Sequence, residues 1–243
     1  MNYKIVADSS SDLLTFSGVP YESVPLKIIT KDKEYTDDAS LNVEEMVEDL
    51  RRQTAPTGTS CPNVHDWITA FGDAEHVFAI TITSNLSGSY NACRQAAEMY
   101  MEENPGRKVC VLDSLSAGPE LQLTVELLRD AILAGEAFEE IEAKARAYML
   151  KTHLLFSLQS LANLARNGRV SPAVAKIASV LGICIVGKAS DVGTLEPLHK
   201  CRGEKSALKT HYKTMKELGF GWTSITAVML VISLVMNKIK KDV

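Results

Sequence analysis

The chain has 243 residues, 46% apolar and 23% charged, with a formal net charge of −4. That length and mix exclude a disordered chain and allow one large or two smaller domains with real cores, and the acidic balance, with no basic stripe, argues against nucleic acid as a partner. Five cysteines without C-x-x-C spacing and five scattered histidines argue against a zinc site, a redox dithiol or another metal centre.

In chain order, residues 1–8 form a short apolar run ending in an acid, without the long apolar stretch and cleavage site of a secretion signal, so a cytoplasmic location is expected. Within it, Lys4–Ala7 reads as a first strand, and Asp8-Ser9-Ser10-Ser11-Asp12 as the loop that follows. Val24–Thr30 is a second strand candidate. Asn42 and Glu45 have capping-box spacing, with Val43, Met46, Val47 and Leu50 as the apolar stripe of a helix. Asn63 and Asp66 repeat the device ahead of Val64, Trp67, Ile68 and Phe71. Val77–Ile82 is a continuous apolar run of strand length, which suits a strand buried on both faces. A polar turn, Ser84–Ser89, leads into a helix reaching Tyr100. Val109–Leu112 is the next buried strand and ends at Asp113. Helices follow over Pro119–Ala134, stopped by Gly135, and over Phe138–Met149. Strand, polar loop and helix in repetition predict an α/β fold with a mostly parallel sheet flanked by helices, with ligands bound at the carboxyl ends of its strands.

After residue 150 the rhythm changes. Leu154–Leu158 reads as a strand, Asn167–Pro172 as a turn into a helix over Pro172–Leu181, and Ile183–Val186 and Thr194–His199 as strands that can pair. A helix over Glu204–Leu218 ends at Gly219. This predicts two domains, an N-terminal α/β domain over residues 1–150 and a second, smaller α/β domain over 151–243.

Gly182-Ile183-Cys184-Ile185-Val186-Gly187-Lys188-Ala189 nearly fits a phosphate-binding loop. Ala189 lacks the hydroxyl that would meet magnesium, and four apolar middle residues suit a strand better than an anion cradle. The hydroxyl clusters are more informative. Thr57-Gly58-Thr59-Ser60-Cys61-Pro62 precedes a helix, and Thr81, Thr83, Ser84, Ser87 and Ser89 crowd the end of a buried strand. Helix caps and turns account for such clusters. So does an anion site, since a helix N-terminus offers unpaired N–H groups and hydroxyls add neutral donors. No neighbouring His or Lys marks any of these serines as an activated nucleophile, so no catalytic residue is assigned.

Several of these segments, taken in order, resemble the DegV family in its FakB-type, fatty-acid-binding form: Asp8-Ser9-Ser10-Ser11-Asp12-Leu13, Thr59-Ser60-Cys61-Pro62, Ser84-Asn85-Leu86-Ser87-Gly88-Ser89-Tyr90, Asp113-Ser114, Asn167-Gly168-Arg169-Val170-Ser171 and Lys200-Cys201-Arg202-Gly203. The resemblance spans about residues 3 to 220. It implies a bacterial protein of two α/β domains that encloses one fatty acid in an interdomain apolar pocket and presents the carboxylate to a separate ATP-dependent kinase for acyl-phosphate formation. It implies no cofactor besides that ligand and no enzymatic activity of the chain alone. Thr59 and Ser87 match the positions that bind the carboxylate, with Ser60, Ser84 and Ser89 expected nearby as supports. Arg169 and Arg202 match basic positions linked to the kinase. The competing readings are a small-molecule hydrolase or phosphotransferase using the same hydroxyl pocket, and a relative that has lost lipid binding.

One part departs from the family pattern. After Gly219-Phe220-Gly221-Trp222 the chain runs into an apolar stretch ending at Met236 and a basic tail, without the glycine-rich closing motif and its histidine. This reads as an incomplete C-terminus, with 223–243 not rebuilding the closing segment. The apolar stretch is shorter than the ~18–20 residues a spanning helix needs, so no stable membrane insertion is expected.

Overall fold

A computed structural model describes residues 2–53, 57–161, 164–165, 167–170 and 183–221. Its centre is a four-stranded parallel sheet of order β2-β1-β6-β7, made by β1 (Tyr3–Asp8), β2 (Tyr21–Val24), β6 (His76–Thr81) and β7 (Lys108–Asp113). The apolar runs read as buried strands are buried on both faces, and period-two alternation sends neighbours to opposite layers. Ile5, Ala7, Phe78, Ile80, Cys110 and Leu112 meet α4 (Pro119–Leu133) and α5 (Phe138–Met149) through Leu121, Val125, Leu128 and Ile141. Val6, Val77 and Ala79 meet α2 (Val64–Phe71) and α3 (Ser89–Glu103) through Trp67, Phe71, Cys93 and Tyr100. The result is helix, sheet, helix, the expected α/β class. Phe78 stacks on Phe138 with centroids 4.6 Å apart, locking β6 to α5.

Local caps behave largely as the sequence indicates. Asn63 and Asp66 form a complete capping box at α2. At α1 (Val43–Arg52) Asn42 accepts the Glu45 N–H at 3.1 Å, but the Glu45 carboxylate turns to Lys33 at 2.8 Å, so only half of that box forms.

The single strand expected over Val24–Thr30 is two strands in two sheets. β2 ends at Val24, and β3 (Lys27–Ile29) joins an antiparallel sheet of order β4-β3-β5 with β4 (Glu34–Thr36) and β5 (Gly58–Ser60). Pro25 lies between β2 and β3; it has no N–H for the ladder, so the chain leaves one sheet there and enters another. β5 carries Thr59 and Ser60, which the sequence places only ahead of a helix, with no strand expected there.

A third sheet, order β10-β9-β8, contains β8 (Leu155–Leu158), β9 (Ile183–Ala189) and β10 (Leu195–Arg202), all antiparallel. The helix α6 (Glu204–Glu217) follows. Gly187 and Lys188 lie inside β9. A Cβ at Gly187 would sit 2.4 Å from the Phe156 ring, so this glycine admits an aromatic neighbour and is no part of a phosphate loop. The helix expected over Pro172–Leu181 and the segment 223–243 lie outside the described residues.

Candidate functional site

Asp8 and Asp113 end β1 and β7, on either side of the end of β6. The loop after β6 hangs between their two carboxylates. Asp8 Oδ2 accepts the Ile82 N–H at 2.9 Å and the Ser89 hydroxyl at 2.6 Å. Asp113 Oδ1 accepts the N–H groups of Ser84 and Leu115, both at 3.1 Å. Asp8 is fully buried; burial pushes its carboxyl above the usual value, while bonds from Ser10, Ser89 and Ile82 pull the other way. Its bond to Ser89, the first residue of α3, sets it at the positive end of the helix dipole, which offsets part of that cost.

Ser87 lies on this loop, half-buried, and its Oγ accepts the Ser89 N–H at 3.3 Å. With a lone pair so engaged, its O–H remains a donor for an anion. Ser84 is also half-buried, but Ser89 is fully buried and its hydroxyl is turned to Asp8. Ser89 therefore acts on the site from behind, by fixing where α3 starts.

Thr59, exposed, and Ser60, half-buried, come from β5. A Cβ at Gly88 would lie 3.2 Å from Cys61 Sγ, so the end of β5 and the Ser87 loop are in contact. The two hydroxyl clusters, separate in sequence, are brought side by side. A third segment joins them. Asn167 Nδ2 donates to the Thr57 carbonyl at 3.2 Å, and Arg169 Nε to the Leu86 carbonyl at 3.1 Å. Arg169 Nη1 also donates to the Asn167 carbonyl. Arg169 is thus half-buried and pinned one residue from Ser87, whereas Arg202 is exposed at the end of β10.

The β9–β10 hairpin closes a further side. Asn85 Nδ2 donates to the Val192 carbonyl at 2.6 Å. Gly193, at φ +78°, fits so closely that a Cβ would fall 2.1 Å from Thr83 Oγ1. Asp8, Asn85 and Asp113, which the sequence shows only as members of the family motifs and without a role, and Gly193, which it does not single out, are the parts that aim these hydroxyls. The local signal was an aspartate closing β1 and β7, the two strands that flank β6. Among the described residues no group of three or more His, Cys, Asp or Glu side chains is placed to hold a metal ion, and no helix is long and apolar enough to cross a membrane.

A three-layer α/β sheet with hydroxyls gathered at a helix start beyond its strand ends defines an α/β protein with a candidate anion site at the carboxyl edge. The family model described as "Uncharacterised protein, DegV family" matches residues 2–231, and the chain belongs to the DegV family. The match reaches beyond residue 220, where the resemblance read from the sequence ends. A DegV domain-containing protein of Streptococcus pneumoniae, spr0652, is 40% identical over 224 residues, 90% of this chain and 80% of its own. A DegV family protein from Eubacterium eligens loaded with heptadecanoic acid is 40% identical with a TM-score of 0.91, over 98% of this chain and 87% of that one. The Streptococcus pneumoniae fatty acid kinase (Fak) B3 protein loaded with linoleic acid is 40% identical with a TM-score of 0.88, over 90% of this chain and 80% of that one.

Proposed function

We propose that this chain binds a fatty acid and presents its carboxylate to a partner kinase, which forms the acyl phosphate from ATP. The observation that carries the reading is the likeness, at 40% identity, to two structures loaded with fatty acids. The site chemistry agrees with it. An acyl chain gains roughly 0.8 kcal/mol per buried methylene, so the tail supplies most of the affinity. An unpaired buried carboxylate is costly, so the head needs donors. Thr59 and Ser87 supply hydroxyls, with Ser60 and Ser84 beside them and the N–H groups at the start of α3 behind. Ile28, opposite Thr59 across β3–β5, and Ile82 and Leu86 in the loop are half-buried apolar neighbours suited to the start of an acyl tail. The tail then enters an apolar pocket between the 1–150 and 151–243 domains.

In this reading the chain is not itself the enzyme. Gly187-Lys188 is strand, and the nucleotide chemistry belongs to the kinase, in the cytoplasm where ATP is available. Arg202, exposed, docks the kinase. Arg169 contributes to the same face while holding the Ser87 loop. Organic extraction and mass spectrometry of the purified protein should yield about one fatty acid per chain. Addition of the kinase and ATP should convert it to acyl phosphate. A protein that carries no fatty acid and takes up none when offered it overturns the proposal.

A further inference from the structure

We infer that Cys184 and Cys201 are an oxidative modification site, able to close a reversible disulfide across β9 and β10. The two residues are direct partners in the antiparallel register, one on each strand. Both are buried, at 5% and 4% exposure, and they share one apolar cluster with Val186 and Ala207 of α6. They therefore point to the same face of the sheet, beneath α6. The Cys201 thiol donates to Thr210 Oγ1 on α6 at 3.3 Å, which fixes its sulfur on that face.

The backbone geometry suits a bridge. Directly opposed residues of an antiparallel pair have Cα atoms about 4.5 or 5.5 Å apart, according to whether they exchange hydrogen bonds. A disulfide spans Cα separations of about 4.4–6.8 Å, so either case falls within range. Side-chain rotation under α6 then suffices to bring the sulfurs together. β10 is the edge strand of its sheet among the described residues, so the pair lies at the margin of the sheet, where local opening is least costly.

The oxidant is a hydroperoxide. One thiolate attacks its distal oxygen, forming a sulfenic acid and releasing water or the alcohol. The second thiolate attacks the sulfenyl sulfur and expels hydroxide, which takes up a proton as water. Two thiols are oxidised by two electrons, and one peroxide is reduced. The other buried cysteines are poorly suited. Cys93 and Cys110 lie in the opposite helix–sheet layers, and burial pushes the Cys110 thiol up to about 12 and that of Cys93 well above its ordinary value. Cys61, half-buried beside Gly88, serves as an internal standard for solvent-reachable thiol. The bridge would fasten β10 immediately before Arg202, so redox state would bear on the rigidity of that arginine's strand.

The test uses the whole native chain. It is treated with hydrogen peroxide, quenched, alkylated after denaturation and mapped by peptide mass spectrometry. The expected result is a linked pair of peptides containing Cys184 and Cys201, with a loss of two hydrogens, restored by dithiothreitol. Cys184→Ser and Cys201→Ser should each abolish the linked pair. The inference is overturned if both residues remain alkylatable after peroxide has consumed Cys61, if either links to another cysteine instead, or if they oxidise singly to sulfinic acid.

Discussion

The hydroxyl of Ser89 donates to the carboxylate of Asp8 at 2.6 Å, with both side chains fully buried and a separation of 81 positions along the chain. This bond joins the end of the first strand to the start of α3. Together with the Ile82 N–H on the same oxygen, it sets the position of the loop that carries Ser87.

Stability should depend on pH through Asp8. Burial raises the Asp8 carboxyl above its ordinary value, so the folded chain holds that proton more tightly than the unfolded chain. Its contribution to stability is therefore greatest below the unfolded value of about 4 and declines as pH rises toward the folded one. Asp8→Asn keeps the shape and removes the titration. The difference in urea midpoint between wild type and Asp8→Asn should shift in favour of the variant as pH rises from 4 to 7. Parallel curves over that range would show that Asp8 ionises as easily in the fold as outside it.

Carboxylate affinity should depend on the two hydroxyl segments together. A hydrogen bond to a charged group contributes about 1.5–3 kcal/mol, so Thr59→Val or Ser87→Ala should weaken fatty-acid binding roughly 10- to 100-fold. The double variant should lose more than either. Displacement of a fluorescent fatty acid measures this, with circular dichroism to confirm the fold. Unchanged affinity in both single variants would place the carboxylate elsewhere.

The two arginines should separate. Arg202 is exposed, so Arg202→Ala should slow acyl-phosphate formation with the kinase and leave the bound lipid unchanged; loss of such an interface arginine costs about 2 kcal/mol of association or more. Arg169 holds the Leu86 carbonyl, so Arg169→Ala should also loosen the Ser87 loop and lower lipid affinity. Parallel assays of lipid content and kinase turnover distinguish the two. Identical profiles for both variants would contradict the distinction.

Gly193 offers a test of the hairpin. Its φ of +78° is strained for any other residue, and a Cβ would overlap Thr83 Oγ1 and approach the Leu115 backbone at 2.9 Å. Gly193→Ala should cost about 1–3 kcal/mol. Hydrogen exchange should rise in both the 190–194 turn and the 82–88 loop. Faster exchange in the turn alone would mean that the hairpin does not brace the loop.

Much of the frame was legible in the sequence because its signals are local. The run at Val77 marks β6, the Asn63–Asp66 box starts α2, and Phe138–Met149 is the helix its pattern indicates. Apolar period and capping act within a turn or two of chain, so a linear reading reaches them. The DegV motifs likewise name Thr59, Ser87, Arg169 and Arg202 by their order along the chain. Only the tertiary structure decided that β3 leaves the main sheet, that three-residue β5 carries Thr59, and that Ser89 faces Asp8. It alone set Arg169 on the Leu86 carbonyl, 83 residues away. Strands of three residues are too short to show a period, and bonds across some 80 residues have no local signature. They form because packed layers bring distant polar groups together where leaving them unpaired would be costly.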